Sequence, residues 1–156
     1  LIVNNFALSI MKSRLGYDIK RAQYLLRHNL DKALREVGLT TAQYALLSAL
    51  EGQPDASNAD LSRACFVTPQ TTIVTLKAME AAGLITRLPH PQNRRIIMTA
   101  LTPAGRGKLA AAETLVDEVE DRMAQGIEED DRQRLAELLE VCYLNLADDE
   151  NGGGGA

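Results

Sequence analysis

The sequence is poor in the groups that redox, metal and covalent chemistry need. Its two cysteines, Cys65 and Cys142, stand far apart with no CxxC spacing. Neither a disulfide framework nor a zinc site is expected, and a reducing cytoplasm is the default compartment. The two histidines, His28 and His90, join no Cys/His cluster, which argues against metal ligation. No Ser/His/Asp order, HExxH, P-loop or Gly-rich phosphate motif occurs, so an enzyme is not expected and no cofactor is implied. The one carboxylate run, EEDD at 128–131, sits at a helix start, where solvated capping explains it. No apolar run approaches the ~18 residues of a spanning helix, so no membrane partner is expected. The opening LIVNNFALSIMKSR lacks a basic first segment and a small-residue cleavage site, and does not read as a secretory signal. No internal repeat is visible.

What is present is 156 residues, one domain or a compact domain with an arm, and a net charge of −4 that is unevenly spread. Residues 1–56 are net +2, residues 57–108 net +5, and residues 109–156 net −11. Exposed charges further apart than a Debye length of ~8–10 Å barely sense one another. The middle third can therefore present a positive surface on an acidic chain.

Helix punctuation is legible along the chain. Ile19, Ala22, Leu26, Leu30, Ala33 and Val37 recur at three- and four-residue intervals, which predicts an amphipathic helix over about 16–37, closed by Gly38. Thr40 with Gln43 forms a capping box for a second helix that ends at Gly52, and Ser57 with Asp60 repeats the device for the short SNADLSRAC. Thr68 followed by Pro69 predicts a fourth helix, stopped by Gly83. LITRL and RIIMTAL read as two strands around a Pro/Asn turn. Thr102-Pro103 opens a long helix to about Gly126, and a last helix spans about Glu128 to Leu146. The tail DDENGGGGA, residues 148–156, reads as a flexible end. The predicted fold is mainly α with a small β-hairpin wing: a three-helix cluster followed by a hairpin, a winged helix-turn-helix, with further helices around it.

Helix-turn-helix proteins lay the N-terminal part of their second helix in the major groove. Here that helix is 68–83. Projection at 100° per residue puts Thr72, Thr75, Leu76, Met79 and Gly83 on the packing face. Gln70, Val74, Lys77 and Ala81 fall opposite, with Thr71 and Ala78 flanking. This outer face is short-sided and free of carboxylates, as a groove ~12 Å wide requires. Gln70 suits adenine, Thr71 a base or phosphate, and Val74 a thymine methyl, with Thr68 at the helix start and Lys77 completing the set. In the wing, HPQNRR places Arg94 and Arg95 at the exit of a tight turn between apolar strands. Adjacent strand residues face opposite ways. One arginine is thus expected in a minor groove and the other on a phosphate or bracing the turn, with Arg87 on the backbone.

GLTTAQYALLSAL, SNADLSRACFVTPQTTIVTLKAMEAAGLITR and HPQNRRIIMTALTPAG together resemble the MarR family of bacterial winged-helix regulators. The resemblance covers about residues 16–146 and is strongest over 38–105. It rests on Gly38-Leu39-Thr40 with Gln43, Gly83-Leu84-Ile85 with Arg87, the wing, and Leu101-Thr102 with Gly105. The family usually carries Asp-x-Arg in the wing. Here Asn93 takes the acidic position, so Arg95 loses a charge-assisted partner. The resemblance implies a homodimer on near-palindromic double-stranded DNA, commonly repressing and commonly released by a small anionic aromatic. It divides the chain into an N-terminal dimerisation arm (1–37), the DNA-binding winged helix (38–102), C-terminal dimerisation helices (103–147) and the tail (148–156). FALSIM, LAELL and VCYLNL independently supply more apolar surface than a lone winged helix of this size requires.

The sensor is less legible. Tyr24, Arg27 and His28, with Arg21, on the first helix and Tyr44 on the second are candidates to line a pocket for an anionic aromatic. Cys65 and Cys142 are expected to be buried spacers. A protein–protein adaptor is the rival reading, because winged helices also bind proteins and this one has a thin basic face; a MarR-like regulator without a small-molecule ligand is the other alternative.

Overall fold

Each helix in the first half of the chain starts and stops for a local chemical reason. The computed structural model describes residues 14–54, 56–89 and 97–152. Helix α1 spans Leu15–Glu36, α2 Thr41–Gly52, α3 Asn58–Ala64 and α4 Pro69–Ala81. Strands β1 (Ile85–Pro89) and β2 (Ile97–Leu101) follow, then α5 (Pro103–Met123) and α6 (Glu129–Gly152). At the start of α2, Thr40 Oγ1 accepts from Gln43 N at 3.2 Å and Gln43 Oε1 accepts from Thr40 N at 2.9 Å, the reciprocal box expected there. Ser57 and Asp60 make the same exchange at α3. The hydrogen bonds from Ser57 hold the Asp60 carboxyl below the ordinary carboxylate value. The box is therefore intact above the unfolded value and weakens as pH falls through the folded one.

Three helices end in the same way. At the close of α1 the Leu39 N–H reaches Leu34 O and the Gly38 N–H reaches Arg35 O, with Gly38 at φ +68°. At the close of α4, Leu84 N and Gly83 N bond Met79 O and Glu80 O, with Gly83 at φ +70°. Gly83 thus lies past the helix end, exposed, and not on the packing face that the 100° projection gave it. The projection fails there because the chain has left the helix. At the close of α3 the same paired bonds form, Val67 N to Ser62 O and Phe66 N to Arg63 O, but the left-handed position is Phe66, φ +51°. That conformation costs a non-glycine residue roughly 1–2 kcal/mol.

The core is aliphatic. Leu34, Leu46, Leu47, Leu76 and Met79 are fully buried, joined by Leu39, Leu50, Leu61, Ile85 and Leu109. A polar contact crosses it: Ser62 Oγ on α3 and Thr72 Oγ1 on α4 lie 2.8 Å apart, both buried, and tie the two helices together. The strands pair antiparallel, Ile85 opposite Leu101 and Arg87 opposite Thr99. Ile85, Thr99 and Leu101 are buried while Thr86, Leu88 and Ala100 are exposed, the period-2 alternation of a sheet with one covered face.

The chain forms two compact units, Leu1–Glu120 and Asp121–Ala156. In the second, Arg132 donates from Nε to Ile127 O at 3.0 Å and from Nη2 to Ala124 O at 3.2 Å, closing the turn between α5 and α6. Gly126 at φ +82° belongs to that turn, so α5 ends at Met123, three residues before the expected stop. Helix α6 continues to Gly152, past the expected end at Leu146. Its extra residues, 147–152, include no proline, and only Ala147 and Glu150 among them are good helix formers. The expected flexible tail therefore begins helically; residues 153–156 lie outside the described residues, as does the FALSIM segment. Among the described residues no helix is long and apolar enough to cross a membrane.

Candidate nucleic-acid interface

Helix α4 is built to face two ways. Thr72, Leu76 and Met79 have no exposure, and Thr75 is half-buried. Gln70, Thr71, Val74, Lys77, Ala78 and Ala81 are all exposed, Val74 by 62%. Ile73 stands at the flank, 40% exposed. The outward set is the one that projection of the sequence predicts, because the chain is α-helical without a break from Pro69 to Ala81.

The N-terminus of α4 carries a hydroxyl pair. Thr68 Oγ1 accepts from Thr71 N at 3.1 Å, and the two hydroxyl oxygens lie 2.8 Å apart. One hydroxyl proton is used between them, whichever residue donates. The other is left for an outside acceptor, at a helix end whose unpaired N–H groups favour an anion. Thr68 is thereby committed to capping, and its oxygen serves the helix before any ligand.

The wing differs from expectation at Arg87. It shares the covered parity of Ile85 and is half-buried, opposite Thr99. Among the described residues its Nε is shielded from solvent and finds no hydrogen-bond partner. Alternation in β1 was readable, but which parity faces the domain was not. Arg94 and Arg95, with His90, Pro91 and Asn93, lie outside the described residues.

The proposed effector residues are not brought together. Tyr44 packs against the core, and burial raises its hydroxyl pKa, helped by the carboxylates of Glu113, Glu120 and Asp117. A carboxylate ligand would meet repulsion there. Tyr24 is 69% exposed and borders a groove with Tyr17, Lys20, Arg21 and Leu25. The Arg21 guanidinium sits over the Tyr17 ring at 5.8 Å. His28 is exposed and borders neither this groove nor the next site. Arg27 borders another opening along α1, a pocket of about 360 Å³ between α1, α2 and the turn before α4. Leu26, Leu30, Ala42, Ala45, Phe66 and Val67 give it apolar walls; Arg27 is its cation, ion-paired with Asp31 at 4.0 Å, and the Thr41 hydroxyl at its edge donates to the same carboxylate. Tyr24, Arg27 and His28 share one face of α1 at i, i+3 and i+4, but Tyr24 and Arg27 border different openings along it, and Tyr44 on α2 is turned to the core. Phe66 and Val67 carried no sequence signal for a pocket, since the positive φ that turns the chain there is not at a glycine. Cys65 is half-buried beside this pocket, and burial pushes its thiol pKa up, away from the reactive thiolate. Cys142 is likewise half-buried.

A tri-helical cluster with a capped, two-faced second helix and an antiparallel hairpin directly after it defines a winged helix-turn-helix DNA-binding protein. A family model described as MarR family matches residues 37–96. The HTH-type transcriptional repressor Rv2887 of Mycobacterium tuberculosis is 30% identical over 126 residues, 81% of this chain and 91% of that protein. The chain belongs to the MarR family of transcriptional regulators. Among solved structures, the transcriptional repressor CouR bound to a 23-mer DNA duplex is similar with a TM-score of 0.77 and 30% identity, over 90% of this chain and 98% of that one. Rv2887 in complex with DNA is similar with a TM-score of 0.68 and 28% identity, over 84% and 98%.

Proposed function

We propose that the chain is a cytoplasmic homodimeric repressor that binds a near-palindromic duplex and is released by a small anionic aromatic acid, acting by binding and not by catalysis. The observation that carries this is the exposed face of α4, lean, with Gln70, Val74, Lys77 and Ala81 at its centre, the one carboxylate of the helix, Glu80, at its flank, and the fully buried Thr72, Leu76 and Met79 opposite. Thr68, Gln70, Thr71, Val74 and Lys77 address the major groove and its phosphates, and Arg87, Arg94 and Arg95 serve the wing. Dimerisation is supported by α6, on which Leu135, Leu138, Leu139, Val141, Leu144 and Leu146 are each more than 40% exposed in a single protomer. Two subunits would present recognition helices about one DNA turn, ~34–36 Å, apart.

Titration of the purified protein against the DNA beside its gene, from roughly 50 to 200 mM salt, tests the reading. Affinity is expected to fall steeply with salt, and Lys77→Ala is expected to flatten the log–log slope by about one unit. A slope near zero, or equal indifference to every duplex, would favour the adaptor role.

For the effector, the pocket at Arg27 is the better site than the groove at Tyr24 or the surroundings of His28 and Tyr44. Rv2887 has been crystallised with salicylic acid, a carboxylated ring of a size for such a pocket. Its floor is the turn that leads into α4, so occupancy there bears directly on the recognition helix. A ligand with ~100-fold preference for the wrong helix spacing supplies about 2.7 kcal/mol of coupling. Arg27→Ala is expected to raise the salicylate concentration for half-release of DNA by about tenfold or more, leaving ligand-free affinity unchanged. Unaltered salicylate response in that variant excludes the pocket.

A further inference from the structure

Resting on the DNA-binding reading above, we infer that each recognition helix reads an A·T core, Gln70 taking an adenine and Val74 a thymine methyl within about two base pairs of each other. The argument starts from what the exposed face of α4 offers. Guanine shows the major groove two acceptors, and its usual partner is a bidentate arginine. No arginine lies anywhere in α4. Lys77 is the one outward cation, but it stands about two turns in from Pro69, where a helix that enters the groove by its N-terminus has reached the phosphates.

The base-reading end is thus left to Gln70, Thr71 and Val74, and the Thr71 hydroxyl, paired with Thr68 at the helix start, leaves one proton of the pair for an outside acceptor. Gln70 is exposed, and its amide matches the donor–acceptor pair of adenine. Val74 is 62% exposed at the centre of the face, stiff at χ1, and bordered one turn on by Ala78, which cannot shield it. An apolar knob so placed gains from a methyl group in the groove and loses by desolvating the cytosine amine. Gln70 and Val74 are one helical turn apart, ~6 Å along the axis, against ~3.4 Å per base step. The two contacts therefore fall on neighbouring or next-neighbouring pairs.

The test is selection of operators from a random duplex pool with the wild-type protein, followed by thymine-to-deoxyuracil replacement at each half-site position. Uracil keeps every hydrogen bond and removes only the methyl. At one position per half-site the replacement is expected to weaken binding about fourfold, and about 15-fold when made in both half-sites. Val74→Ala is expected to bind the thymine operator that much more weakly and to be indifferent to the uracil replacement. Its thermal midpoint should match wild type, since the side chain is exposed. Half-sites dominated by G·C, an absence of any methyl effect, or an undiminished methyl effect in Val74→Ala would each overturn the A·T reading while leaving DNA binding in place. Failure of the pool to enrich any sequence would overturn both.

Discussion

Gly105→Ala is expected to be the most damaging single-methyl change in the chain. A Cβ at Gly105 would stand 2.0 Å from Leu84 O and 3.0 Å from Leu84 C. Leu84 O is not free to yield, because it accepts from Thr102 N at 3.0 Å and Thr102 Oγ1 at 3.1 Å. Thr102 Oγ1 also meets Gly83 O at 2.7 Å and accepts from Gly105 N at 3.0 Å. The start of α5 and the entry to the wing are thus knotted through one hydroxyl, and glycine lets the backbones approach that closely. Alanine's better helix propensity offsets roughly 1 kcal/mol, and the net loss is expected to be about 3 kcal/mol. For a chain of this size that lowers the melting temperature by roughly 6–12 °C. Gly107→Ala, two residues on, is the control: its Cβ would meet nothing within 4 Å, so it should be neutral or stabilising. Thermal and denaturant unfolding of both variants decides it, and equal midpoints for Gly105→Ala and wild type would refute the knot.

The second large effect is expected at Leu139→Glu on α6. Leu135, Leu138, Leu139, Cys142 and Leu146 recur at the three- and four-residue spacing of one helical stripe, and the four leucines are 41–71% exposed in the protomer. A glutamate there is tolerated by an isolated helix and not by a buried interface. Sedimentation should show a monomer with unchanged far-ultraviolet helicity. Because half-site contacts then no longer reinforce each other, operator affinity should fall about 10²–10⁴-fold. A variant that stays dimeric and binds the operator normally would place the interface elsewhere.

The sequence and the structure agree best where the determinant is local. Thr40 with Gln43, Ser57 with Asp60, and Thr68 with Pro69 each need only residues within one turn, so the starts of α2, α3 and α4 were readable from side-chain chemistry alone. Glycine stops were readable for the same reason at Gly38 and Gly83. The outward face of α4 followed from periodicity, since a regular helix turns a residue number into a direction. Agreement ended where direction depends on a neighbour. Nothing local says that Arg87 rather than Thr86 faces the domain, that Phe66 takes a left-handed turn, or that Tyr44 and Arg27 point to different places. Gly105 lies between the two cases. Its place in the family pattern was visible, but the reason for it, a carbonyl from 21 residues earlier in the chain, was not.

One contact outside the DNA-facing surface has a mechanical consequence. The Lys108 ammonium donates to Val37 O, at the carbonyl end of α1. Six residues earlier, immediately before α5, Thr102 grips Gly83 and Leu84 at the root of the wing. A cation seated on a helix's negative end and a hydroxyl clasp at the hairpin base are therefore spaced by less than two turns of unbroken backbone. The end of α1 and the root of the wing are thus anchored to the same end of one helix, each through a single side chain.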